Sequence, residues 1–483
     1  MSATSLPSVS NQANEVTTAL HGADRASVLH PSTSISDFAS GKLPSIIVDS
    51  ASGVRIRDTE GRELIDAFAG LYCVNIGYGR TEVAEAIARQ AHQLAYYHTY
   101  AGHSTEELIR LSDRLVKMAP ISNGGKPMQR VFYGTSGSDA NETNAKLVWY
   151  YHNLIGKPKK KRIIARDRAY HGNTVKAGSM TGLNFYHNFM DLPVSAILRT
   201  GAPHHYWGAN PGESEEQFSR RRATELEALV AREDPETIGA FIGEPVLGTG
   251  GLIPPPAGYW QAIQSVLRKY DILLIADEVI TGFGRTGRMF GSQLYDIQPD
   301  LITIAKGLTS AYAPLSGVIV GERVYKAMES GSAEAGVFPH GYTYTGHPIA
   351  VAAANANLDI LERENLTQNA AEVGAYMLGA LHTAFDGLPI TGEVRGIGLM
   401  LAVEFVADPA TKQRLDSALK VASRISALAR EKGLITRAMP QSEALGFAPP
   451  LVLTRSEADQ IVEIAAASTR QVIDELTREG TLA

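Results

Sequence analysis

The run 272-ILLIADEVITGFGRTGRMFGSQLYDIQPDLITIAKG-307 decides the fold. It holds two short apolar segments, Ile272 to Ala276 and Leu301 to Ala305, each too short for a buried helix and each closed by polar or glycine residues. Such continuous runs read as strands covered on both faces, as in a parallel sheet. The first runs into Asp277-Glu278 and the second into Lys306-Gly307. Lys306 lies 29 residues beyond Asp277, which fits one strand-crossover-strand step, so both side chains can meet at one sheet edge.

Outward from that run the same alternation continues. Strands are expected at Arg130 to Tyr133, Arg162 to Ala165 and Ile238 to Ile242, with helices over Glu215 to Ala231 and Tyr259 to Lys269. From Ile46 to Asp66 short alternating segments broken by Gly53 and Gly61 read as antiparallel hairpins. Helices entered through Thr81 and Thr105 follow. Beyond Pro348 the chain is helix-rich, with short strands near Glu393 to Phe405 and Gly446 to Leu451. The fold class is therefore α/β. The expected division is a mobile arm over 1–30, a large domain over 75–345, and a smaller α+β domain from 31–74 and 346–483.

Length and composition bound the function. At roughly 150 residues per domain, 483 residues allow about three units, but the pattern above uses them as one large and one split small domain. Lys+Arg 45 against Asp+Glu 51 gives a net charge of −6, so a nucleic-acid partner is not expected. The single cysteine, Cys73, excludes an internal disulfide and a Cys-based zinc site, and no metal site is expected. No apolar stretch approaches the length of a membrane span. The first 40 residues carry one basic residue, Arg25, and no apolar targeting core, so the cytoplasm is the expected compartment.

Four features fall at strand ends. Gly134-Thr135-Ser136-Gly137-Ser138-Asp139 is a strand-to-helix turn of small residues that leaves backbone N–H groups free for a phosphate; as a plain helix start it would use Ser138 as cap. Asp277-Glu278 also fits the magnesium-binding strand of a nucleotide hydrolase, but no Gly-Lys pair here is followed by Ser or Thr, which disfavours a P-loop. Lys306 closes an apolar strand, where desolvation lowers an ammonium's pKa toward that of a Schiff-base nucleophile; the alternative is a lysine snorkelling to the surface. Tyr170 of Tyr170-His171-Gly172 can stack on a planar ring, or belong to the core. A phosphate nest, a buried aspartate, an aromatic ring and a desolvated lysine together match the needs of pyridoxal 5′-phosphate.

At this point the chain is similar to class III pyridoxal-phosphate aminotransferases, the fold-type-I group with ω-amino acid and amine:pyruvate transaminases. The likeness runs from about Val54 to Leu453. It is carried by the order and spacing of 70-GLYCVNIGYG-79, the 135–142 turn, Tyr170-His171-Gly172, Glu244-Pro245-Val246, 275-IADEV-279, 282-GFGRTG-287, Ala305-Lys306-Gly307 and 341-GYTYTGHP-348. The resemblance implies a mainly parallel, seven-stranded type of sheet and a homodimer with shared sites, or a tetramer. It implies that Ser136, Gly137 and Ser138 hold the phosphate and that Thr343 reaches it from the neighbouring subunit. Tyr170 and Val279 would flank the ring, Glu244 would join the hydrogen-bond shell near Asp277, and Asp277 would bind the ring nitrogen. Lys306 would form the aldimine and move the proton. Arg437 resembles the mobile arginine that clamps a carboxylate, and Tyr72 stands where relatives often carry Trp, lining the substrate pocket. Thr345 stands where relatives often carry Ser, and Cys73 reads as a packed small hydrophobe.

The activity implied is ping-pong transfer of an amino group from a primary amine or ω-amino acid to a 2-oxo acid, with pyruvate as the leading acceptor. An aminomutase or decarboxylase on the same fold is the alternative. A non-catalytic cofactor-holding homologue and an NTPase stand outside that class.

Overall fold

The computed structural model describes the backbone of residues 9–482 and side chains from residue 16 onward. The central sheet has seven strands in the spatial order Met128–Gly134, Ser316–Gly321, Leu301–Ile304, Leu273–Asp277, Ile238–Gly243, Arg162–Arg166, Ile197–Thr200. All run parallel except Ser316–Gly321, which is antiparallel to both neighbours. The alternation of side chains explains the unbroken apolar runs. Ile163, Ala240, Ile242, Leu273 and Ile275 pack on one face with the Gly137–Leu154 helix. Ile164, Phe241 and Leu274 point to the other, against Trp260 and Leu226 of the helices Tyr259–Lys269 and Glu215–Arg232. Each of these buried Ile, Leu and Phe side chains contributes about 1.5–3 kcal/mol.

Two strands of this sheet were not expected from the sequence. Ile197–Thr200 is a four-residue edge strand interrupted by Arg199, and Ser316–Gly321 is inserted between Met128–Gly134 and Leu301–Ile304. The strand expected at Gly446 to Leu451 lies instead at Ala444–Phe447.

The smaller unit joins both chain ends. The antiparallel strands Val48–Ser52, Arg55–Asp58 and Glu63–Asp66 are extended by a parallel strand, Leu434–Ile435. A second sheet orders Thr391–Ile397, Met400–Phe405, Ala444–Phe447 and Arg437–Ala438. The last long helix, Arg455–Arg478, is entered through a reciprocal cap between Thr454 and Glu457. One apolar cluster includes Ile302 and Ile304 of the large sheet and Leu401, Phe447 and Ile461 of the smaller unit, so the two pack as one body. Residues 1–8 of the expected arm lie outside the described residues, and Val9–Ser27 form a helix. Its Thr17 donates to the Thr59 carbonyl at 3.3 Å and its His21 ring bonds Ser45 at 2.7 Å. Among the described residues no helix is long and apolar enough to cross a membrane.

Candidate active site

The C-terminal edge of the parallel strands opens on a cavity of about 190 Å³, lined by Leu71, Gly137, Ser138, Tyr170, His171, Gly172, Tyr186, Glu244, Thr249, Asp277, Val279, Ile280, Lys306 and Arg437. Successive strands deliver these groups. Gly134 ends the first strand and Ser136 caps the following helix, accepting from Asp139 N while the Asp139 carboxylate accepts from the backbone of Thr135 and Ser136. Ser136, not Ser138, is therefore the helix cap. Its neighbours Gly137 and Ser138 are left in the first turn, where N–H groups have no intrahelical partner. The Ser138 hydroxyl accepts from Asn173 N at 3.1 Å. Gly172 sits at φ 127°, and a Cβ there would overlap Ser138, so this glycine keeps the turn open.

Asp277 is 2% exposed, and both of its carboxylate oxygens are held by the protein with acceptor capacity left on Oδ1. Oδ2 accepts from His171 Nδ1 at 2.7 Å and Asn141 Nδ2 at 2.9 Å, and Oδ1 from Val279 N at 3.1 Å. Asn141 is itself fixed by the Thr303 hydroxyl at 2.7 Å. His171 and Asn141 lay inside the quoted motifs but carried no assigned role, because contacts across 106 and 136 residues have no local signature. Glu278, adjacent in sequence, faces away and accepts from Gly291 N and Ser292 N at 2.9 and 2.6 Å. That places it in a buried turn rather than at a magnesium ion.

Lys306 follows its strand with φ 47°, and its ammonium lies 5.2 Å from the Tyr72 ring centroid. Burial lowers its pKa, and the Arg437 charge adds to that; Cys73, Asp277 and Glu244 oppose it. Burial raises the Glu244 carboxyl, whose oxygens accept from Tyr170 N at 3.1 Å and Gly248 N at 2.8 Å. Burial also pushes the Tyr170 hydroxyl up to about 12, and the ring packs against Tyr186 with centroids 5.4 Å apart.

The opposite wall is less regular. Asp66 accepts from Phe68 N, Gly70 N and the Tyr78 hydroxyl at 2.9, 2.6 and 2.6 Å, organising a turn in which Ala69, Gly70, Leu71 and Tyr72 all have positive φ, 48°, 54°, 78° and 67°. The turn sends Leu71 into the cavity. Tyr72 packs behind it at 1% exposure against Phe68, its hydroxyl next to Thr249 and Arg437. Tyr72 thus lies beside Lys306 and next to these two residues of the cavity wall. Arg437 starts a two-residue strand, and its guanidinium sits 5.6 Å from the Phe68 ring. No carboxylate among the described residues pairs with it, although it stands in the cavity wall. Thr343 lies outside the cavity on an exposed turn, where its carbonyl accepts from the Tyr96 hydroxyl at 2.6 Å.

Pyridoxal phosphate fits these residues. The open first turn at Gly137 and Ser138 suits a phosphate, and the Asp277 carboxylate, backed by His171 and Asn141, suits a protonated ring nitrogen. The ring would lie between Tyr170 and Val279, within reach of the Lys306 amine.

Comparison with known proteins agrees. The family model described as aminotransferase class-III matches residues 37–468. The chain is 64% identical to an uncharacterised aminotransferase, y4uB, of Sinorhizobium fredii, over 95% of this chain and 97% of that one. It is 54% identical to a diaminobutyrate–2-oxoglutarate transaminase of Halomonas elongata, with the same coverage. Among solved structures, an omega transaminase of Pseudomonas jessenii in complex with PMP superposes with a TM-score of 0.91 at 41% identity, covering 95% of this chain and 99% of that one. A transaminase from directed evolution by ancestral reconstruction gives 0.93 at 59%, covering 95% of this chain and 100% of that one.

Proposed function

The chain belongs to the class III aminotransferases, which use pyridoxal 5′-phosphate, and we propose that it moves an amino group from a primary amine or ω-amino acid to pyruvate, giving alanine, in two alternating half-reactions. The observation that carries the acceptor is Arg437, a guanidinium in the cavity wall with no carboxylate of its own, whose planar fork suits the carboxylate of a 2-oxo acid. The bound cofactor supplies an electron-withdrawing ring that acidifies the C–H bond beside the transferred nitrogen. Lys306, held toward its neutral form by burial, would be the base that takes that proton at Nζ and gives it back. Asp277 would accept the ring N–H, and Gly137 and Ser138 would donate to the phosphate. Tyr170 and Val279 would flank the ring, and Glu244 fixes Tyr170 through its backbone N–H. A decarboxylase or aminomutase would use the same groups and is separated by product.

A second acceptor, 2-oxoglutarate, is favoured by the 54% identical relative whose name includes it. Both are tested by incubating the purified enzyme with an amine panel, covering diamines, β-alanine and aryl-alkyl amines, and each 2-oxo acid in parallel. Alanine from pyruvate supports the reading. Glutamate from 2-oxoglutarate without alanine replaces pyruvate, and neither product across the panel rejects the function.

A homodimer is part of the proposal. Tyr96, Tyr97, Tyr100 and Tyr344 are exposed around Thr343, an aromatic surface suited to a second copy that would receive the Thr343 hydroxyl at its phosphate. Sedimentation of a monomer at micromolar concentration would reject it. The single cysteine is in keeping with a cytoplasmic enzyme.

A further inference from the structure

We propose that Arg395 and Glu404, a buried ion pair outside the cavity, are positioning residues that set the distance between its Thr249 wall and its Arg437 wall and so tune carboxylate binding. The proposal rests on the reading of Arg437 as the carboxylate clamp. Arg395 belongs to the Thr391–Ile397 strand of the smaller unit, with its side chain 6% exposed. Its Nε and Nη2 both donate to the Gly251 carbonyl, at 3.1 and 2.6 Å. Gly251 belongs to the tight return between Leu247 and Ile253, whose tip carries Thr249 into the cavity. Arg168 donates to the adjacent Gly250 carbonyl at 2.8 Å, and a Cβ on Gly250 would run into the Arg168 backbone. With Gly248 N held by Glu244, the loop is fixed on both sides of Thr249.

The same guanidinium donates to Glu404 Oε2 at 2.7 Å and to Glu393 at 2.8 Å. Glu404 Oε1 in turn accepts from the Ser442 hydroxyl at 3.0 Å and from Trp207 Nε1 at 2.9 Å. Ser442 lies in the turn that connects the Arg437–Ala438 strand to Ala444–Phe447. One carboxylate therefore joins the loop of Thr249, through Arg395, to the hairpin of Arg437, through Ser442. A buried pair costs desolvation and adds little net stability over an apolar replacement, whereas it does fix geometry, which is the use inferred here.

The test compares R395K, E404Q and S442A with the parent holoenzyme. Propanoate, a carboxylate with no reactive carbonyl, is titrated calorimetrically. The KM is measured for pyruvate and for butanal as an uncharged acceptor, and thermal midpoints are recorded. We expect the propanoate Kd and the pyruvate KM to rise about tenfold in R395K and E404Q, the size of one hydrogen bond to a charged group, and less in S442A, with the butanal KM unchanged. Equal weakening of both acceptors alongside a lower midpoint would reduce the pair to a structural support and overturn the proposal. Should R395K fail to fold, E404Q and S442A decide the matter. R437A is run beside them. If it leaves propanoate binding unchanged, the clamp itself fails and the proposal with it. If R437A weakens propanoate and the other variants do not, the clamp stands and the positioning role is wrong.

Discussion

At one end of the cavity Lys306, Asp277 and Ser138 leave strands of a single sheet, whereas at the other Leu71, Thr249 and Arg437 arrive from three segments far apart in the chain. The first end is fixed by the sheet itself: strand spacing places the lysine, the aspartate and the open helix turn, and Asp277 is held by three donors. The second end is held by a left-handed turn, a glycine hairpin and a buried ion pair, and its cation has no anionic partner among the described residues. Geometry that chemistry depends on sits where the backbone ladder enforces it, and geometry that selects substrates sits where side chains enforce it.

Substitutions at the two ends should separate in kind as well as size. The largest effect is expected for Lys306→Ala, about 10²–10⁴-fold or more in kcat for every donor and acceptor alike, together with loss of the visible absorption of lysine-bound cofactor. A variant that retained turnover would break the assignment of chemistry to the sheet end. Arg437→Ala should raise the KM for pyruvate about 10–100-fold, with little change for an uncharged amine; equal effects on both would erase the distinction between the ends. Gly172→Ala should weaken cofactor binding about tenfold, as overpacking by a methyl group commonly costs 1 kcal/mol or more, and is read by equilibrium dialysis of the cofactor. Unchanged affinity would show that the Ser138 turn can shift.

The smallest effect probes the sheet's scaffold. His152 is fully buried, its Nε2 bonded to the Gly239 carbonyl at 3.0 Å, and burial lowers its pKa from 6.5 to about 4. Between those values the unfolded chain binds the extra proton, so stability falls as pH drops from 6.5 toward 4, by at most about 1.4 kcal/mol per pH unit for this group. His152→Gln keeps a donor but cannot titrate, and denaturant unfolding should show a shallower loss over that window. An unchanged slope would mean His152 is not the group responsible.

The same division explains what the sequence disclosed. Strand ends such as Ala276-Asp277 and Ala305-Lys306 are legible because apolar runs of the right length announce a doubly covered sheet, and their spacing puts both groups on one edge. The order of strands is less so: nothing local in Ser316–Gly321 says that it inserts antiparallel beside Leu301–Ile304. The helix cap moved from Ser138 to Ser136 because Asp139 is placed to close a reciprocal cap only with Ser136. At the substrate end, four consecutive positive φ values turn Leu71 toward the opening and set Tyr72 behind it, beside Lys306, an arrangement the sequence did not announce. A left-handed run that includes Ala69, Leu71 and Tyr72 is set by Asp66 and Tyr78 and has no propensity signature.

That turn also bears on how a new substrate range could arise. A left-handed conformation costs an L-residue roughly 1–2 kcal/mol, and Leu71, at φ 78°, is 52% exposed. Enlarging a pocket ordinarily removes packed atoms and weakens the protein. At position 71 a change to glycine would widen the cavity and relax the backbone at once, so selection for bulkier amines can act there without drawing down the stability on which later mutations depend.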